Sequence, residues 1–176
     1  FSQNSVAGVY AGALASVDAY KCTFVWNKVG LKYRGKATSL KIRECTFRYD
    51  DDASIDIYAM CSSSFVPIIE NNTIENRVDY HPSGWQGVAV RLEGDVNPQF
   101  TGNIIQGFYD GIVLVSDWGF PPYSAIPTPY PFDGNTISGN SHYNLKAPSA
   151  GVYQNLCGSR RLVAENNNWG ASTSGE

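Results

Sequence analysis

The heptapeptide ENNTIEN, residues 70–76, returns in altered form as TGNIIQG at 101–107, DGNTISGN at 133–140 and ENNNWG at 165–170. Taken alone it offers a tight turn and an N-x-T glycosylation acceptor at Asn71. Sliding the chain against itself adds CTF at 22–24 and 45–47. Six triplets then begin at Cys22, Cys45, Asn72, Asn103, Asn135 and Asn167, separated by 23, 27, 31, 32 and 32 residues. Three positions before each triplet stand Ala19, Ile42, Ile69, Phe100, Phe132 and Ala164, and five before stand Val17, Leu40, Pro67, Pro98, Tyr130 and Leu162. Two positions after its start come Phe24, Phe47, Ile74, Ile105, Ile137 and Trp169. Apolar side chains thus recur on period 2 on each side of a break, which is the pattern of short strands joined at a corner.

A further strand precedes each unit, as GVY at 8–10, GLKY at 30–33, IDI at 55–57, GVAV at 87–90, GIVL at 111–114 and GVY at 151–153. Units of this size cannot bury their own apolar face and must stack on one another, so the expected architecture is a β-solenoid. Stacking at about 4.8 Å superimposes the triplet starts, and Asn72, Asn103, Asn135 and Asn167 become a ladder of amides bonding turn backbone and the next rung. On this alignment Asn71 faces outward and Thr73 joins Thr23, Thr46 and Thr136 in an outer column, so the sequon is explained without a glycan. Cys22 and Cys45 occupy the first two rungs, and the spacing suits a disulfide and packed free thiols alike.

These residues resemble the right-handed parallel β-helix proteins of the pectate-lyase-like superfamily, whose repeats run from a Gly and an apolar strand into an Asn-Asn-Thr-Ile-like corner. The closing AENNNWGASTSGE, 164–176, resembles the Asn-Asn-Trp-Trp-Gly ending of such helices in secreted or surface-anchored bacterial proteins. The resemblance implies an all-β, right-handed parallel β-helix of about six coils. Residues 1–170 form one domain of what is expected to be a longer protein, with 171–176 as a tail or linker. FSQNS at 1–5 overlays ISGNS at 137–141, so the chain is expected to start in mid-coil and to need a cap, a further coil or self-association at that end.

The superfamily holds lyases, hydrolases, epimerases, tailspikes and adhesins, so the fold does not settle the chemistry. Composition excludes some partners. The net charge is −3, with 13 Lys and Arg against 16 Asp and Glu, and no basic stripe is interleaved with aromatics, which argues against nucleic acid. No apolar run reaches the length of a membrane span, and FSQNSVAG lacks the regions of a signal peptide. Residue by residue, the enzyme signatures fail to carry over: NTI lacks the Asp of the polygalacturonase-like Asn-Thr-Asp, HPS and HYN stand for His-Gly, and KIR at 41–43 reverses Arg-x-Lys.

Insertions relative to the shortest coil mark where a solenoid carries function. Counting from each Asn to the next Gly strand, RVDYHPSGW (77–85) and SHYNLKAPSA (141–150) are expansions flanking the short turn GFYDG (107–111). Two loops two coils apart have bases roughly 10 Å from each other, which predicts a groove. Its walls hold Tyr80, His81, Trp85, His142 and Tyr143, and its floor Phe108, Tyr109 and Asp110. Aromatic faces stack on sugar rings and His titrates near neutrality, so His81, His142 and Asp110 are the candidate acid/base groups. The Pro-rich stretch 117–134 adds Trp118 and Tyr123 as a second stacking platform or as a packed flap. Asp50, Asp51 and Asp52 form an acidic run, either a solvated turn or a Ca²⁺ site, and no other cofactor is implied. The expected role is an extracellular or cell-surface module binding polysaccharide or serving adhesion without catalysis. The alternatives are a polysaccharide lyase or glycoside hydrolase in the groove, and a structural solenoid assembling end to end.

Overall fold

The computed structural model describes residues 1–12, 14–35, 39–59, 66–77, 87–115, 127–147 and 164–170. The first coil carries β1 (Val9–Ala11), β2 (Ser16–Tyr20) and β3 (Thr23–Val25), and the second β4 (Val29–Arg34), β5 (Ser39–Arg43) and β6 (Thr46–Arg48). The third has β7 (Ala53–Ala59), β8 (Ile68–Glu70) and β9 (Thr73–Glu75), and the fourth β10 (Val88–Gly94), β11 (Gln99–Thr101) and β12 (Ile104–Gln106). The fifth has β13 (Asp110–Val115), β14 (Phe132–Asp133) and β15 (Thr136–Ser138), and β16 (Tyr143–Lys146) opens the next. Equivalent strands pair in parallel, giving a six-stranded sheet in the order β1-β4-β7-β10-β13-β16 and two five-stranded sheets, β2-β5-β8-β11-β14 and β3-β6-β9-β12-β15. Among the described residues there is no helix, and none therefore long and apolar enough to cross a membrane. This is a parallel β-helix.

The interior follows the apolar columns. Ile42, Ile69 and Phe100 are fully buried, as are Phe24, Phe47, Ile74, Ile105 and Ile137. The rings of Phe1, Phe24 and Phe47 stack down the axis with centroids 5.1 and 4.5 Å apart, and the fully buried Phe24 and Phe47 contribute about 2–3 kcal/mol each, whereas Phe1 is exposed. Tyr130 breaks its column: it is 69 % exposed, because the strand it was aligned with begins only at Phe132. Leu162 lies outside the described residues.

The amide ladder is present. Asn72 Nδ2 and its backbone N–H both donate to Asn103 Oδ1 (2.9 and 3.0 Å), Asn103 does the same to Asn135 (3.0 and 2.9 Å), and Asn135 to Asn167 (2.8 and 3.0 Å). Each Nδ2 also donates to a carbonyl of the preceding coil, Asn72 to Ile42 O and Asn103 to Ile69 O. Cys45 joins by donating its N–H to Asn72 Oδ1 at 2.9 Å. Cys22 and Cys45 are free thiols, with the Cys22 N–H donating to Cys45 Sγ at 3.4 Å, and burial pushes the Cys45 thiol up from its ordinary pKa. Asn71 is exposed and left-handed at φ 56, in a corner column with Lys21 and Glu44, both at φ 52.

A second left-handed column runs through Trp26 and Tyr49, both at φ 58, and on to Gly107 at φ 79 and Gly139 at φ 64. The Trp26 and Tyr49 rings pack against each other, tilted by 36° with centroids 4.7 Å apart, so two bulky residues hold a conformation that glycine takes in later coils.

Two alignments shift. The six-stranded sheet is registered on the inward residues Leu31, Ile55, Val90, Ile112 and Leu145. Ala89 rather than Gly87 is therefore level with Gly111. The strand of the last coil is Tyr143–Lys146, whereas GVY at 151–153 lies outside the described residues. Glycine misled the alignment because this sheet needs an apolar side chain in the core at each coil and a Gly only in some.

Candidate functional site

Residues 143–146 of the expected wall segment 141–150 are a strand rather than a loop, while residues 148–150 and most of the other expected wall, 78–85, lie outside the described residues. Tyr80, His81 and Trp85 lie outside the described residues, as do Trp118 and Tyr123. Phe108 is no floor residue: it is fully buried in the core. The remaining predicted residues do meet, for a reason of register. Ser141 and His142 donate their backbone N–H to Phe108 O and Tyr109 O (2.8 and 2.9 Å), and Asp110 is level with Tyr143 across the β13–β16 pair.

This pairing lays the His142 ring over Tyr109 at 4.4 Å, with the Tyr143 ring 3.8 Å from His142. His142 Nδ1 is 2.9 Å from Asp110 Oδ1, and Lys146 Nζ is 3.8 Å from Asp110 Oδ2. The Asp110 side chain is 9 % exposed, that of His142 33 % and that of Lys146 50 %. A buried carboxylate is held by two cationic or polar partners, as burial demands. With the Asp110 carboxylate accepting, Nδ1 is the donor of this bond, an arrangement that fixes the orientation of the imidazole ring.

Sequence reading missed a second part of the same outer face. Residues following the inward column point outward, and the register aligns Lys32, Asp56, Arg91, Val113 and Lys146 across five coils. Arg34 donates from its NH2 group to Asp56 Oδ2 at 2.6 Å, Lys32 Nζ lies 3.9 Å from the same oxygen, and the Arg34 guanidinium lies 5.6 Å from the Tyr58 ring centre. Asp56 Oδ1 and one Arg34 terminal nitrogen are buried without a hydrogen-bond partner, although that nitrogen lies 4.0 Å from Glu93. The signal was available in the alternation of each strand, but it becomes a row only once the register is known.

The acidic run is split by the fold. Asp51 and Asp52 are exposed, Asp52 facing Lys28 at 3.8 Å, while Asp50 is fully buried and takes part in a separate interior network. The three carboxylates do not converge. Among the described residues no group of three or more His, Cys, Asp or Glu side chains is arranged to hold a metal ion.

The family model described as a right handed beta helix region matches residues 1–122. No curated protein and no solved structure matches the chain at a significant level.

Proposed function

Because the chain belongs to the right-handed β-helix family, we propose that it is an extracellular or cell-surface module that binds polysaccharide on the outer face of its six-stranded sheet, without catalysis. The observation that carries this reading is the cluster of Tyr109, His142 and Tyr143 around the Asp110 carboxylate. Aromatic rings supply stacking area, and Asp110, His142 and Lys146 supply the fixed donors and acceptors that hydroxyl groups require. Lys32, Arg34, Asp56 and Arg91 extend the polar surface along the same face, so a ligand lying along the axis meets several coils.

The experiment is calorimetric titration with pectin, alginate and plant or microbial polysaccharides, paired with an assay for new reducing ends. Replacing Tyr109 and Tyr143 together by Ala is expected to weaken binding about tenfold or more, since stacking contacts are worth about 0.5–1.5 kcal/mol each. Undiminished binding in that double variant rejects the site. The Asp110–His142 hydrogen bond favours one second reading, a polysaccharide lyase or glycosidase with His142 Nε2 as the acid/base group. Reducing-end release by the wild type that disappears in His142→Ala establishes the second reading in place of the first.

A further inference from the structure

The interior contains a second ladder. Asn4 donates its N–H and Nδ2 to Asn27 Oδ1 (3.3 and 2.8 Å), and Asn27 donates its N–H and Nδ2 to Asp50 Oδ1 (3.0 and 3.1 Å). Farther along the same column, Asn140 Oδ1 accepts the Phe108 N–H at 3.0 Å. The rungs obey the rule of the first ladder: as Asn72 Nδ2 also reaches Ile42 O, Asn27 Nδ2 also reaches Phe1 O at 3.3 Å. Asp50 is the exception. Where its neighbours carry an amide nitrogen it carries Oδ2, which is buried and has no hydrogen-bond partner. The Ser54 hydroxyl beside it is also buried and outside hydrogen-bond geometry. An ionised carboxylate offers only acceptors where the other rungs present an amide donor, whereas a protonated one carries a donor there.

We propose that Asp50 is a proton-controlled rung: protonated, it stands in for an asparagine, and loss of the proton loosens the coils it joins, from Asn4 to Ser54. Little space surrounds Oδ2. A Cβ added at Gly30 would lie 2.7 Å from Oδ2 and 2.5 Å from Ser54 O, so the carboxylate is enclosed by backbone and by the Phe47 ring. The charged groups near it do little to hold a negative charge there. Asp51 follows it with the same sign, Lys28 and Asp52 face each other at the surface, and Arg77, level with it in the next coil, is exposed. On β4 and β7, Lys32, Arg34 and Asp56 lie on the opposite, outer face. Burial pushes the Asp50 carboxyl from 3.8 up to about 6, with the Asn27 donors and the nearby Ser54 hydroxyl restraining the rise and Asp51 adding to it.

The sign follows. The folded chain holds this proton to higher pH than the unfolded chain does, so the contribution of Asp50 is whole below pH 3.8 and is lost as pH rises through about 6. A rise of roughly two units corresponds to about a 100-fold increase in the opening equilibrium of these coils between pH 4 and pH 7. Carbon-13 NMR titration of the wild-type Asp50 carboxyl is expected to show a midpoint near 6. The protection factors of the Asn27 and Asp51 amides, that is, exchange corrected for its intrinsic pH dependence, are expected to fall across the same range in the wild type and to stay level in Asp50→Asn. A carboxyl midpoint at the ordinary aspartate value overturns the proposal, as does a pH profile that Asp50→Asn leaves unchanged. The titration decides the matter alone if the variant does not fold.

Discussion

Asn103→Ala is expected to destabilise the protein by about 4 kcal/mol, measured as the shift in urea unfolding. Asn103 is fully buried and serves both neighbouring coils: it accepts from the N–H and Nδ2 of Asn72 and donates to Asn135 Oδ1 and Ile69 O. Truncation removes four hydrogen bonds where water does not reach, at a net cost of about 0.5–1.5 kcal/mol each, and leaves the Asn72 N–H without its side-chain acceptor, whereas Asn72 Nδ2 keeps Ile42 O and Asn135 Oδ1 keeps the Asn103 N–H. Because coils are stabilised by their neighbours, the variant is also expected to unfold in two steps, with the break between the third and fourth coils. Gln106→Ala, at an exposed strand position three residues after Asn103, is expected to change stability by no more than about 0.5 kcal/mol. An Asn103→Ala effect as small as that of Gln106→Ala would show that the stacked sheets alone hold the coils together.

The second large effect is expected from Gly107→Ala, at about 3 kcal/mol in thermal or urea unfolding. Gly107 has φ +79, and a Cβ there would come 2.1 Å from Asn76 O, a backbone atom fixed by the neighbouring coil. Gly139 is its equivalent one coil later, at φ +64, with nothing within 4 Å of an added Cβ. Gly139→Ala therefore bears only the left-handed strain, about 1 kcal/mol, and the difference between the two variants measures the close approach of backbone. Equal effects would mean that the coils around Asn76 yield to a methyl group.

Much of this was legible in the chain. Each rung of the amide ladder and each column from Ala19, Ile42 and Ile69 to Phe24 and Phe47 could be read by aligning triplets, because stacking forces like residues to recur at like places. The second ladder was not legible. Its members, Asn4, Asn27, Asp50 and Asn140, are separated by Arg77 and Phe108 in the intervening coils, so no unbroken column announces them. Asp50 in particular sits in a run of three aspartates that suggests a solvated turn, and only the path of the backbone turns one of the three inward.

The candidate site divides in the same way. Tyr109, Asp110, His142 and Tyr143 were singled out from the sequence, but through a groove between two loops. The structure brings them together instead by extending the six-stranded sheet with β16. The row from Lys32 to Lys146 was invisible for the same reason: period 2 tells which side of a strand a residue faces, and only register tells what stands beside it.

By itself, then, the sequence determined the architecture: a parallel β-helix with an amide ladder and an aromatic and aliphatic interior, since a repeat that cannot bury its face alone has to stack. The tertiary structure alone decided which residues become neighbours across coils, placing His142 against Asp110 and Asp50 beneath Asn27. The physical reason is that insertions between strands change the spacing along the chain without changing the spacing between coils, so residues brought to one level carry no constant offset in the sequence.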